Sequence, residues 1–241
     1  QEQDKDWKSW QFKTIDGGFV PESEIMKAKR TMDERTFKQE FEATFESAGN
    51  RVAYNFERDS HVKKANQYGH YKWAGIDFNV DYMSACAVCE YSDGTLHYYD
   101  EIRLTNSNTD EMARVMKKKW KDITDIYPDP SGTARSTTSS ESDFDILRAY
   151  GFNVIAQKKA PSHRDRISAL NFKLKDATGR IKMTIDPKCI ELIKDLELCG
   201  RDKNGGIDKS DIRRTHALDS ATYGLHYRHP VRPPMTRTFS L

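Results

Sequence analysis

The feature that most limits the possible folds is the run from Tyr71 to Leu104, where three apolar stretches lie only a few residues apart. Tyr71 to Phe78, Met83 to Tyr91 and Thr95 to Leu104 have strand-forming composition, and Ser92, Asp93 and Gly94 make a turn between the last two. Connections this short cannot carry a crossover, so the three strands are expected to pair as an antiparallel meander. Beyond Leu104, helices and strands alternate. Thr109 to Trp120 reads as a helix opened by Thr109, with Asp110 and Glu111 in its first turn, and Ile123 to Tyr127 as a strand stopped by Pro128. Ser142 to Tyr150 is a helix closed by Gly151, Phe152 to Gln157 a strand, and Ser162 to about Lys175 a helix with Ser162 and Asp165 at capping-box spacing. Arg180 to Ile185 then reads as a strand, Pro187 to Cys199 as a helix, and Thr215 to Arg228 as the last helix. This order predicts an α/β fold: a mixed central sheet, three antiparallel strands then parallel strands, with helices on both faces.

The chain before the meander is different in kind. Residues 1–22 are polar and aromatic without a period, whereas Glu22 to Phe45 predicts one amphipathic helix with Phe37, Phe41 and Phe45 on a single face. Asn50 to Phe56 reads as a short strand followed by a polar connector. A boundary near residue 65 would separate an N-terminal helical linker segment, 1–65, from the sheet domain, 66–230, leaving the Pro/Arg-rich residues 231–241 as a basic tail expected to be mobile. The net charge of +2 conceals an asymmetry: residues 1–60 carry 10 Lys and Arg against 13 Asp and Glu, and the remainder 29 against 24. No apolar run approaches the ~18 residues of a membrane span, so a membrane protein is not expected. Four cysteines are too few for a disulfide scaffold and no signal peptide precedes them, so reduced thiols in a cytoplasm are expected. Cys86 and Cys89, three apart on a strand, point to opposite faces and read as core thiols rather than a metal pair.

Three acidic residues sit at or inside apolar elements: Asp77 after Trp73-Ala74-Gly75-Ile76, Asp129 after Ile126-Tyr127-Pro128, and Asp219 within His216-Ala217-Leu218-Asp219-Ser220-Ala221. Half-buried carboxylates brought together need cations, and hard oxygen donors favour Mg²⁺ or Mn²⁺ over Zn²⁺. Each acid taken alone is better read as a cap of a strand or helix or as a surface ion-pair partner. Only convergence makes the chemistry, and spacings of 52 and 90 residues cannot show it. His216 falls on the same helix face as Asp219 and is a candidate ligand or water-orienting base; Asp81 is a candidate outer oxygen, with a turn role as its plainer reading. Residues 158–182 hold eight basic side chains against Asp165 and Asp176. Lys158, Lys159, Arg164 and Arg166 are the candidate DNA-phosphate contacts, while the cluster from Arg114 to Lys121 fits an ordinary exposed helix.

Gly75-Ile76-Asp77-Phe78, Tyr127-Pro128-Asp129-Pro130-Ser131-Gly132 and His216 to Tyr223, in this order of strands and helices, resemble the nuclease domain of the large terminase subunit of tailed bacteriophages. That domain is similar to ribonuclease H and resolvases, so the resemblance implies a ribonuclease H-like sheet. It covers residues 70–228, and Arg35 to Arg51, with Phe37-Lys38-Gln39-Glu40-Phe41, resembles the segment that joins the packaging ATPase to the nuclease. The resemblance implies a metal-dependent endonuclease that cuts concatemeric double-stranded viral DNA with little sequence preference. Asp77, Asp129 and Asp219 would be its catalytic, metal-binding acids, Asp77 bridging two Mg²⁺ or Mn²⁺ ions and the others holding one each. Implied partners are double-stranded DNA, the portal protein, the small terminase subunit and the ATPase domain of the same protein, in the host cell cytoplasm. Two departures stand out: Asn79 replaces the glycine that relatives often carry two residues after the first Asp, and no G-x-x-x-x-G-K-[ST] loop occurs. The ATPase is accordingly expected elsewhere in a longer protein. Two rival readings are a stand-alone resolvase or ribonuclease H-type nuclease, disfavoured by the N-terminal segment, and a non-catalytic DNA-clamping or portal-docking module, disfavoured by the presence of all three acids.

Overall fold

The computed structural model describes residues 10–44, 50–65, 69–134 and 141–231. Phe45 and the expected tail beyond Val231 lie outside them. The helix predicted from Glu22 is two helices, α1 (Glu22–Thr31) and α2 (Glu34–Phe41), because Asp33 interrupts it with extended backbone and caps the second by accepting the Thr36 N–H. Phe37 and Phe41 stack at 5.1 Å and join Ile25, Ala28 and Met32 in a small core of their own. The segment expected as a strand before Phe56 is a series of turns instead. Asn55 gives it long-range anchors there, its backbone N–H and side-chain amide bonding Asn171. A short helix, α3 (Arg58–His61), follows. Packing does not break near residue 65: Val52, Ala53 and Phe56 are buried in the same core as the sheet.

The meander forms as the short turns require, from β1 (Tyr71–Asp77), β2 (Tyr82–Glu90) and β3 (Leu96–Thr105), each antiparallel to the next. Then come α4 (Thr109–Lys119), β4 (Asp125–Pro128), α5 (Asp143–Ala149), β5 (Asn153–Val154), α6 (His163–Leu174), β6 (Met183–Ile185), α7 (Ile190–Leu198) and α8 (His216–Arg228). Asn108, not Thr109, caps α4 by accepting the Glu111 N–H. The sheet order is β5-β4-β1-β2-β3-β6, with β4 parallel to β1, β5 to β4, and β6 to β3. Pro128 ends β4 from inside the strand, which it can do because the proline has no N–H to offer the ladder. The two outermost strands are shorter than their composition suggests, and β6 gains a single further bridge, from Val62 to Ile185, on its outer side.

Strand alternation divides the core in two. Trp73, Cys86, Val88 and Tyr98 pack with α6, α7 and α8; Ala74, Ile76, Ala85, Ala87 and Cys89 pack with Met112 and Met116 of α4 and Leu147 of α5. Cys86 and Cys89 thus lie in opposite layers, both buried and neither in a disulfide. Helix α8 sits against the middle of the sheet, touching β1, β2 and β4, and reaches it by close approach. A Cβ at Gly75 would overlap the Ser220 carbonyl oxygen, and one at Gly224 the Trp73 ring. Among the described residues, no helix is long and apolar enough to cross a membrane.

Candidate functional site: three acids at one end of the sheet

Asp77 has the parity of Trp73 and Gly75 and so faces α8. It is the last residue of β1. Because β4 runs parallel to β1 with Pro128 paired to Ile76, Asp129 emerges beside Asp77, and its N–H bonds the Ile76 carbonyl at 3.0 Å. The carboxyl ends of adjacent parallel strands form the usual ligand-binding end of an α/β sheet. The third acid comes from the first turn of α8, where Asp219 is 1% exposed. Its helix starts at that spot for a specific reason. Thr215 has a left-handed backbone with φ of 77° and gives no side-chain cap, so buried Asp195 of α7 caps α8 instead, its Oδ2 accepting the Ala217 and Leu218 N–H groups at 3.1 Å each.

The charges of the three acids reach one another. Burial raises the Asp77 carboxyl above the usual range, and the Asp219 and Asp129 charges raise it further against the opposing hydrogen bond from His216. His216 Nδ1 lies 2.9 Å from Asp77 Oδ2, and its Nε2 2.8 Å from the Ile212 carbonyl. Burial would lower this imidazole, yet both its neighbours are acceptors and its net shift is upward. Its ring stacks on Tyr82 at 5.8 Å. Asp129 Oδ1 accepts the Ser131 N–H at 2.9 Å, capping the 3₁₀ turn Pro130–Thr133, so the plain capping role also holds for it. Tyr223 of α8 lies near Asp129; burial first, then the nearby acids, raise its phenol.

Asp219 is held differently. Arg166 Nη1 sits 2.7 Å from its Oδ1 and Lys209 Nζ 2.9 Å from its Oδ2. Burial pushes the carboxyl up, but these two cations outweigh it and hold it below the usual range. Among the described residues, no group of three or more His, Cys, Asp or Glu side chains is gathered so as to hold a metal ion. The expected two-ion cage is therefore not drawn together among them, and Asp219 is neutralised by Arg166 and Lys209. The donor set itself, three carboxylates of which Asp77 feels the charges of the other two, has the chemistry that Mg²⁺ or Mn²⁺ requires.

Arg166 corrects an expectation. It is 1% exposed, donates to Thr222 Oγ1 at 3.1 Å and lies 4.2 Å over the Tyr223 ring, so it cannot meet a DNA phosphate. Helical spacing with Leu170 and Leu174 signalled its inward direction. The surplus charge of residues 158–182 shrinks further: Lys173 donates to the Gly94 carbonyl, Lys175 pairs with Glu34, and Lys182 and Arg180 pair with Asp176. Lys158, Lys159 and Arg164 are exposed. Asp81 is exposed in the β1–β2 turn, where Asn79 Oδ1 accepts the Asp81 and Tyr82 N–H groups. Sequence reasoning missed Asp195, Arg166 as an Asp219 partner, and Lys209.

The family model of the terminase RNaseH-like domain matches residues 74–228, which contain all three acids. No curated protein matches the sequence. Among solved structures, the large terminase of the thermophilic bacteriophage D6E has a TM-score of 0.67 at 16% identity, over 90% of this chain and 54% of that one. The P22 large terminase nuclease domain gives 0.58 at 14% identity, over 75% and 94% of the two chains. The HK97 bacteriophage large terminase gives 0.51 at 11%, over 72% and 43%. The chain thus spans about half the length of the D6E protein. With the family model covering most of the sheet and the final helix, this chain belongs to the terminase RNaseH-like domain family.

Proposed function

We propose that this chain is the nuclease part of a viral genome-packaging large terminase, cutting double-stranded DNA by divalent-metal-dependent phosphodiester hydrolysis with little sequence preference. The observation that carries the reading is that Asp77 and Asp129 leave the adjacent carboxyl ends of β1 and β4, with Asp219 near enough for its charge to act on Asp77, in a chain of this family. These three acids would hold Mg²⁺ or Mn²⁺, and a pair of such ions supplies an activated water and stabilisation of the leaving oxygen. His216, with Nδ1 bonded to Asp77 and Nε2 bonded to the Ile212 carbonyl, fixes the direction of the Asp77 carboxylate. Arg166 fixes Asp219 through Oδ1. Exposed Lys158, Lys159 and Arg164 would hold the duplex by its phosphates, which accounts for weak sequence preference. The D6E relative is about twice as long, so the ATPase of the motor, the portal and the small subunit enter as partners of a longer protein acting in the host cytoplasm.

The test is cleavage of supercoiled plasmid in Mn²⁺. Wild type should nick and linearise it, EDTA should stop the reaction, and Asp77→Asn should abolish cleavage while remaining folded. Wild-type cleavage by folded Asp77→Asn refutes the assignment.

A further inference from the structure

Asp219 has two cationic partners of unlike character. The Arg166 guanidinium is sealed in, bonded to Thr222 and laid over Tyr223, and has no route to solvent that preserves those contacts. Lys209 comes from the loop between α7 and α8, and its side chain is 55% exposed although the carboxylate it meets is 1% exposed. A buried carboxylate must keep a counter-charge, so one cation must stay on this oxygen until another replaces it. An ammonium on a flexible, half-solvated stem can leave at little cost, because water takes over its three donors.

We propose that Lys209 is a displaceable counterion that occupies the Asp219 oxygen required for metal binding and so sets the affinity of the site for divalent cations. This rests on the metal-dependent function proposed for the three acids. Lys209 and the incoming cation compete for one anion, and whatever free energy holds the ammonium on Asp219 is subtracted from metal affinity. Arg166 is the fixed half of the arrangement: it leaves Oδ2, the lysine-bound oxygen, as the one through which Asp219 can exchange partners.

Calorimetric titration with Mn²⁺ alone, without DNA, tests the idea in wild type, Lys209→Met, Lys209→Arg and Lys203→Met. Lys203 is exposed in the same loop and controls for the loss of one positive charge nearby. Lys209→Met should bind Mn²⁺ about ten-fold more tightly than wild type, a coupling of ordinary size. Lys203→Met should change affinity less than about two-fold, since an exposed charge is screened by solvent and salt. Lys209→Arg should bind no more tightly than wild type. Unchanged or weaker binding by Lys209→Met, equal gains in both Met variants, or a gain in Lys209→Arg overturns the proposal while leaving the metal site standing. Absence of Mn²⁺ binding at millimolar concentration in wild type and Lys209→Met alike overturns the metal-dependent reading and this one with it.

Discussion

Asp195 caps the helix that carries two of the site residues, and removing it has a consequence that can be worked out. Its carboxylate is 2% exposed, and burial pushes it up to about 6 from an ordinary 3.8 despite the backbone N–H groups and Arg214 that favour its charge. A carboxyl raised in the folded state stabilises most when protonated. The contribution is present below pH 3.8 and is lost as pH rises through about 6, amounting to about 3 kcal/mol for a shift of this size. Asp195→Ala removes the acceptor of two N–H groups and should cost about 2 kcal/mol near pH 4, where the wild-type carboxyl carries no charge penalty. Asp195→Asn keeps an acceptor of nearly the same shape but never ionises. Relative to wild type it should therefore gain stability steadily from pH 4 to pH 7, by up to about 3 kcal/mol or roughly 6–12 °C in a domain of this length. Thermal melts followed by circular dichroism, at half-unit pH steps, measure both variants. A wild-type-minus-Asn difference that stays flat across that window, or Ala and Asn variants of equal stability, refutes the assignment of Asp195 as a buried, charge-strained cap.

Arg164 and Arg166, two residues apart, should separate completely. Arg166→Met leaves Asp219 one cation short and should cost about 3–5 kcal/mol in urea denaturation, whereas Arg164→Met should stay within about 0.5 kcal/mol of wild type. In duplex binding followed by fluorescence anisotropy, Arg164→Met should flatten the log affinity against log salt slope by about 0.9, the loss of one phosphate contact; an unchanged slope removes Arg164 from the DNA path. Gly75→Ala forces a methyl group onto the Ser220 carbonyl, so α8 must back away from β1 at a cost of about 1–3 kcal/mol, and a melting temperature equal to wild type would contradict that packing.

The features legible in the sequence were local. The meander follows from turns of a few residues, Ser162 caps α6 by accepting the Asp165 N–H at the predicted spacing, and the acid closing Trp73-Ala74-Gly75-Ile76 does stand at a strand end. The break at Asp33 was obscured because helix-forming residues fill the chain on both sides of it, from Glu22 to Thr31 and from Glu34 to Phe41. The basic stretch misled for a different reason. Three of its basic side chains find their partners far off in sequence, Arg166 at Asp219, Lys175 at Glu34 and Lys173 at the Gly94 carbonyl, so a count of neighbouring charges could not see them. Lys209 was invisible for the same cause, since nothing in its own loop says that it reaches a helix that has not yet begun.

The position of α8 also fixes when the site can exist. Residues 216–228 cover the middle of the sheet yet are the last helix of the sheet domain to be synthesised, and they arrive about 140 residues after the strand they press on. At ordinary translation speeds of 5–20 residues per second, the ends of β1 and β4 wait on the ribosome for several seconds or more with their α8 face uncovered. Asp77 and Asp129 are then an incomplete pair, lacking both His216 and Asp219. On the proposed function, a nascent chain would therefore be harmless to any nucleic acid nearby, and competence for cutting would come with the docking of one helix after the rest of the sheet domain has been made.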